Sequence, residues 1–438
     1  MTTKLYRCLL FLTASISTQA VAQELPQLPE AEEVRTQVPL PPSPAFDGDA
    51  AALLMAEFGI NAREAQRRVD LEPEILAFAN QFSADTDPTF GGVYVQHEPV
   101  YKVVVAFTDN NDAALARKQI SPQLRRYLKV KYVPRSRAAR MTEQNRFMTQ
   151  INALNLDIAS YIDAQTDDLV VITEDVAKLE AAFEGSGVAR PESLKLERRK
   201  PSQLTQATTP SGSYPTSPGD FIEGGRYYYD DTYQLHKGCT IGFGARLGST
   251  YGFLTAGHCE PGRPGTGYWY WFNRWIELHA PTYESQAFGN KYDFQFHPTP
   301  GMKVYNTIYI QNNTTGSPFY LHVNGIQATS SQPANTTICK YGRETSHGCY
   351  RITSDRYSYK GASGWRYVVV NPASDHIVTG GDSGGPVYTP PQNGYVKAAG
   401  IITAGDHYYL QNFADMVYMP IEYIDDVRPI SVLTSPSP

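Results

Sequence analysis

The chain has 438 residues, 41% of them hydrophobic and 19% charged, which is the balance of a soluble globular protein with room for two domains. A net charge of −6 and a pI near 5.9 leave no basic footprint, so nucleic acid is excluded as an expected partner.

The chain opens with a basic stretch, MTTKLYR, followed by the apolar run CLLFLTASIS and the small-x-small site Ala20-Val21-Ala22. This pattern predicts a secretion signal over residues 1–22 that is removed on export. The run is too short to span a bilayer, and no later stretch reaches about 18 apolar residues. The expectation is a secreted protein, extracellular or periplasmic, with no membrane partner. Cys8 leaves with the signal, and Cys239, Cys259, Cys339 and Cys349 remain. An even count in an exported chain suggests two disulfides, with three pairings open.

Residues 23–46 are Pro-, Glu- and Gln-rich and read as a disordered lead-in. Residues 47–200 combine helical periodicity (AALLMAEFG, AREAQRRVDLEPEILAFANQF) with short β-branched runs (YKVVVAFTD, LKVKYVP, DDLVVITED). That mixture predicts an α/β or α+β domain. Residues 195–220 begin basic and become Pro/Ser/Thr/Gly-rich, which predicts a solvated linker centred on 201–220. From Phe221 to Pro438 helical periodicity nearly vanishes, and short strands alternate with Gly, Pro and Asn turns. An all-β antiparallel sandwich or barrel is expected there.

The chemistry concentrates in this second half. Ser383 lies in Gly381-Asp382-Ser383-Gly384-Gly385-Pro386. Flanking glycines permit the backbone angles that aim successive amides at one point, so Gly381 and Ser383 are candidate oxyanion donors. A serine hydroxyl needs a base, and the base needs an orienting acid. His258, in Thr255-Ala256-Gly257-His258-Cys259, ends an apolar run beside a cysteine and is the candidate base. Asp293, Asp355, Asp375 and Asp382 are the aspartates between His258 and Ser383. Asp293 is flanked by aromatics that could bury it, as an orienting carboxylate requires, whereas Asp355 sits in a polar turn.

TAGHC, YDFQF and GDSGGP, in that order, resemble the chymotrypsin-like serine proteases. The Gly224-Gly225 pair, Cys239-Thr-Ile-Gly-Phe and Cys339-Lys-Tyr-Gly-Arg make the closer likeness the bacterial secreted branch that includes the streptogrisins and alpha-lytic protease. The resemblance covers about residues 221–438. It implies a double β-barrel, with His258 as general base, Asp293 as its orienter and Ser383 as nucleophile. It implies the disulfides Cys239–Cys259 and Cys339–Cys349. Members of this branch use an arginine to hold the aspartate before the nucleophile; Lys340 stands at that position, which predicts a Lys340–Asp382 ion pair. The branch is also made with a pro-region that assists folding and then inhibits, a role that falls on residues 47–200. Peptide or protein substrates and the chain's own pro-region are then the partners, with cleavage within 198–222 and a monomer afterwards.

The same resemblance assigns the pocket. Ile377 and Val378 would form its floor, Met416 the opposite wall, and Thr403-Ala404-Gly405 the substrate-binding edge strand. An apolar floor leaves a buried cation unpaired, so small or medium apolar residues are the expected preference. Trypsin-like specificity is the alternative if Asp375 or Asp415 enters the pocket. Other readings are a secreted non-catalytic binding protein on a protease fold, and a serine esterase. The esterase lacks a G-x-S-x-G elbow and the histidine-last order. The 30 tyrosines are read as packing in a strand-rich protein. Asn312, Asn313 and Asn335 fit the glycosylation acceptor pattern. No metal or other cofactor is expected, because no cluster has metal-ligand spacing once the cysteines are paired.

Overall fold

The computed structural model describes residues 49–109, 115, 118–204, 221–225, 227–230, 237–259, 267–269, 278–280, 285–311, 318–370, 377–405 and 414–435. The expected signal, the lead-in, most of the linker, Asp375, Asn312 and Asn313 lie outside them.

The first half of the chain forms two helix-on-sheet units. Helices Asp49–Phe58 and Ala62–Ala79 come first, and the second starts where the Asn61 side chain accepts from the Glu64 amide at 3.0 Å. Its apolar face (Leu71, Ile75, Phe78) packs on a three-stranded sheet of Phe90–Gln96, Lys102–Phe107 and Leu128–Tyr132. Helix Arg137–Ala153, capped by Ser136, and helix Val176–Gly185, capped by Asp175, cover strands Ala159–Ile162, Leu169–Ile172 and Leu194–Glu197. The architecture is α+β, one of the two that the mixture of helical periodicity and β-branched runs predicted.

The second half is built almost entirely of antiparallel strands. One five-stranded sheet runs Ser285–Gly289, Tyr292–Pro298, Thr250–Thr255, Phe243–Leu247, Ile430–Val432. A larger sheet carries Thr337–Gly342, Pro386–Tyr388, Tyr395–Gly405, Ala414–Pro420, Ala362–Val370 and Ser354–Tyr359 in lateral order. Both disulfides, Cys239–Cys259 and Cys339–Cys349, are formed. Among the described residues no helix is long and apolar enough to cross a membrane.

The two halves share a sheet. Ser354–Tyr359 pairs antiparallel with Ala159–Ile162, matching Tyr357 with Tyr161 and Tyr359 with Ala159. An edge that would expose unpaired amides is thereby completed by the first half. Polar contacts surround this seam: Arg137 bonds Asp355 at 2.6 Å, and Arg351 pairs with Glu57. Asn335, a glycosylation candidate, is buried here. Its amide donates to the Val95 carbonyl at 2.9 Å and accepts from Arg351 at 2.9 Å, so this fold has no room for a glycan on it.

Sequence composition misjudged the start of the linker. Arg199, Pro201 and Ser202 are buried, and Gln203–Leu204 is a strand paired with Tyr395–Gly405. Charge and hydroxyl content suggested solvation, but tertiary partners described below take both groups out of water.

Glu72 reports on the same interface. It is buried and accepts from the Thr337 amide at 3.1 Å and hydroxyl at 2.7 Å, while its other oxygen has no hydrogen-bond partner among the described residues. Burial raises its pKa from 4.5 to about 7. The folded chain therefore holds an extra proton, and this contribution to stability is complete below about pH 4.5 and is lost as pH rises through 7. Glu72→Gln in the full-length Ser383→Ala chain is expected to add about 1–2 kcal/mol at pH 8 and to be neutral at pH 5. Thermal unfolding at the two pH values checks this; equal effects at both would count against a neutral buried carboxyl.

Candidate active site

His258 follows strand Thr250–Thr255 in the short turn Gly257–Cys259. A side chain at Gly257 would come within 2.7 Å of the Ala287 carbonyl and 2.8 Å of the Phe294 amide, so glycine is required for the turn to lie against the sheet. The Cys239–Cys259 bridge ties the turn's end to the neighbouring strand. Asp293 lies on Tyr292–Pro298 and is fully buried. It accepts from the His258 backbone amide at 2.9 Å, and its Oδ2 is 2.9 Å from His258 Nδ1. An ionised carboxylate there selects the tautomer with hydrogen on Nδ1 and a lone pair on Nε2. His258 Nε2 is 2.8 Å from Ser383 Oγ. Asp293 lies on the five-stranded sheet and His258 just beyond one of its strands, whereas Ser383 precedes strand Pro386–Tyr388 of the other sheet.

The serine turn is pinned from several directions. Gly381 has φ 105° and Gly384 has φ 81°; a side chain on Gly384 would also reach 2.0 Å from Thr255 Oγ1. The amides of Asp382, Gly384 and Gly385 bond the carbonyls of Thr379, Ile402 and Asp382 at 3.1, 2.8 and 2.9 Å. Thr240 clasps the turn from the opposite strand: its amide donates to the Ser383 carbonyl and its hydroxyl to the Gly381 carbonyl, both at 2.8 Å. The Cys239-Thr-Ile-Gly-Phe stretch entered the sequence analysis for its family likeness and its cysteine, and the role of this threonine was missed. It also missed Phe288, half exposed, whose ring centre is 6.3 Å from that of His258.

Asp382 and Lys340 are both buried, yet they do not form the direct ion pair expected from sequence. The Asp382 carboxylate accepts from the amides of Glu344 (2.8 Å), Thr345 (3.2 Å) and Thr379 (2.9 Å), and from the Thr345 hydroxyl (2.6 Å). A Cβ at position 342 would lie 2.2 Å from its Oδ1, so Gly342 lets the turn wrap the carboxylate. Lys340 Nζ donates to the Thr345 hydroxyl and to the Ser346 carbonyl at 2.8 Å. Turn amides have taken the space an ammonium would need, and Thr345 relays between the two charges. Burial lowers the Lys340 pKa to about 8, partly offset by Asp382.

Ile377, Val378 and Met416 share one apolar cluster with Ile402 and Tyr418. Val378 Cγ2 would be 1.9 Å from a Cβ at Gly405, so Val378 stands against the end of strand Tyr395–Gly405 and narrows the space beside it. Asp415, adjacent to Met416 on Ala414–Pro420, is engaged elsewhere. Its Oδ2 accepts from Arg199 Nη1 (3.0 Å), Ser202 Oγ (2.7 Å) and Tyr367 Oη (3.2 Å). Consecutive strand residues face opposite ways, which separates this carboxylate from the cluster that holds Met416. Thr403-Ala404-Gly405 is itself occupied, with Leu204 opposite Ala404 and Gln203 opposite Gly405. Cys339, His347 and Cys349 gather closely, but the two sulfurs are bonded to each other, so this group offers no thiolates to a metal.

No protein-family model matches the chain. Among solved structures it is similar to Thermobifida fusca protease A, at 23% identity over 49% of this chain and 100% of that one, with a TM-score of 0.36. It is likewise similar to Nocardiopsis protease, at 22% identity over 48% of this chain and 98% of the other, TM-score 0.36. Cellulomonas bogoriensis chymotrypsin matches at 23% identity over 49% and 100%, TM-score 0.36.

The Thr345 relay is open to test. Thr345→Val is expected to cost about 2–3 kcal/mol of unfolding free energy, because it strips a donor from a buried carboxylate, while Thr345→Ser stays within about 1 kcal/mol. Denaturant titration of both variants measures this, and equal losses would mean the hydroxyl is dispensable.

Proposed function

We propose that this chain is a secreted serine endopeptidase made as a zymogen. The single observation that carries the reading is the continuous hydrogen-bond chain Asp293–His258–Ser383, with 2.9 and 2.8 Å links between side chains drawn from two sheets. The two disulfides support an oxidising compartment.

In this mechanism His258 Nε2 takes the Ser383 proton as Oγ attacks a peptide carbonyl. Asp293 keeps the proton on Nδ1 and stabilises the imidazolium that forms. The amides of Gly381 and Ser383 receive the developing oxyanion, in the turn that Thr240 and Asp382 hold. The imidazolium then protonates the leaving amine, an acyl-enzyme remains on Ser383, and the same histidine activates water to release it. The apolar cluster of Ile377, Val378 and Met416 favours a small or medium apolar side chain before the cut.

Residues before the linker act as the inhibiting pro-region. Gln203–Leu204 lies antiparallel on Ala404–Gly405, where a substrate strand would lie, and Ser383 has no exposed surface in this state. That register favours cleavage in the segment after Leu204, inside the 198–222 window.

Labelling with a serine-directed phosphonate, before and after limited proteolysis, tests the reading. Processed protein should label at Ser383, Ser383→Ala should not label, and absence of label in every processed form would favour a non-catalytic binding protein. Asp293→Asn should lower kcat by about 10⁴-fold, since it favours the wrong tautomer. Cleavage of a mixed peptide pool reads the pocket: cuts after small or medium apolar residues are expected, and dominant cutting after Arg or Lys would overturn that preference.

A further inference from the structure

The contact between Asp415 and the segment Arg199–Ser202 is more elaborate than a linker needs. Arg199 is buried, and its Nη1 donates to Asp415 Oδ2 at 3.0 Å. Its Nη2 donates to the Tyr367 hydroxyl, and the guanidinium carbon lies 5.5 Å from the centre of the Tyr367 ring. Tyr367 stacks on Tyr357, ring centres 4.9 Å apart at 22°. Ser202 adds its hydroxyl to the same Asp415 oxygen at 2.7 Å. Within its own segment Arg199 also bonds Glu197, at 3.1 Å through Nε.

The ownership of these groups matters. Asp415, Tyr367 and Tyr357 come from Ala414–Pro420, Ala362–Val370 and Ser354–Tyr359 in the second half of the chain. Arg199 and Ser202 sit immediately upstream of Gln203–Leu204, the pair that lies along Ala404–Gly405. A peptide following that same line presents its residue opposite Gly405, then the one before it, then the one four places before it, as Gln203, Ser202 and Arg199 do here. The acidic, tyrosine-walled recess is thus a continuation of the edge strand, and it is filled in this state by the chain itself.

Its chemistry selects its occupant. A buried carboxylate flanked by a phenol calls for a cation with several donors, and a planar guanidinium supplies a fork for the oxygens and a face for the ring. An ammonium matches the charge but neither the fork nor the stacking. Met416, next along the strand, belongs to the apolar pocket cluster, so one strand serves two different recognition surfaces.

We propose that Asp415 and Tyr367 form a distal substrate subsite for an arginine, four residues upstream of the residue opposite Gly405, with a small hydroxyl residue accepted one place upstream. Arg199 and Ser202 occupy it in the uncleaved chain, and substrates carrying the same spacing occupy it after the segment leaves. The proposal rests on the reading of Thr403–Gly405 as the substrate strand. Arginine recognition here is separate from the pocket next to the cut, which stays apolar, so a cation contributes to selection without entering that pocket.

The test uses processed protein recovered from the full-length chain and a dye-labelled peptide with the sequence of residues 199–204, which lacks the expected cleavage point. Replacing its arginine by citrulline, which keeps shape and loses charge, should weaken binding by about tenfold, measured by fluorescence anisotropy. Lysine in its place should recover only part of that loss. The arginine-to-citrulline ratio should fall to within about twofold in Asp415→Asn and shrink measurably in Tyr367→Phe, which keeps the ring if the first variant fails to fold. Equal affinity of the two peptides for the unaltered protein would overturn the subsite, as would an undiminished ratio in both variants. Phosphonate labelling of Ser383 in the same preparation reads the catalytic assignment separately. Failure to label with the peptide ratio intact would leave a peptide-recognition groove on a non-catalytic protein.

Discussion

A carboxylate without water around it must find hydrogen-bond donors, and Asp293 finds them on a single residue. The backbone amide and the imidazole of His258 both point at it, so the turn after Thr255 is locked to strand Tyr292–Pro298 before any reaction is considered. The imidazole can then turn only one nitrogen outward, and Ser383 lies at hydrogen-bond distance from it. Everything else around the site holds Ser383 where that nitrogen points.

The same problem is solved twice more with different donors. Asp382 is wrapped by the amides of Glu344, Thr345 and Thr379, which anchors the serine turn from beneath. Asp415 relies on a guanidinium and two hydroxyls, and part of that set comes from the first half of the chain. Donors supplied by local turn amides are permanent features of the fold. Donors supplied by Arg199 and Ser202 are conditional on the segment staying in place, so under the proposed cleavage Asp415, unlike Asp293 and Asp382, would lose part of its set. The shared sheet would be conditional in the same sense under the proposed processing, since Ser354–Tyr359 completes its pairing with Ala159–Ile162. A strand-rich half dominated by long-range contacts folds slowly, and a preformed neighbouring strand lowers the entropy cost of closing it.

Much of the proposed site was legible in short motifs because each demands unusual backbone or chemistry. Gly257, Gly381 and Gly384 stand where a side chain would collide or where φ is positive, so glycine-rich words mark the turns directly. Flanking aromatics pointed to Asp293 because burial follows local apolarity. Contacts made by ordinary residues were invisible. Thr240, Thr345 and Tyr367 are common residue types with no local signature, and Arg199 meets Asp415 across 216 positions. Polar composition made residues 199–202 look solvated, because sequence shows a charge but not the partner that removes its need for water.

From the sequence alone came the helix-rich and strand-rich halves, the word order TAGHC, YDFQF, GDSGGP, and the apolar character of Ile377, Val378 and Met416. These rest on periodicity, local sterics and side-chain polarity, which short stretches carry by themselves. Only the tertiary structure decided that Thr345 stands between Lys340 and Asp382, that Asp415 turns away from the apolar cluster of Ile377, Val378 and Met416, and that Gln203–Leu204 lies along Ala404–Gly405. Those outcomes depend on which of several donors reaches a buried acceptor first, and on which strand finds an open edge. Both are competitions among groups far apart in the chain, settled by packing rather than by neighbouring residues.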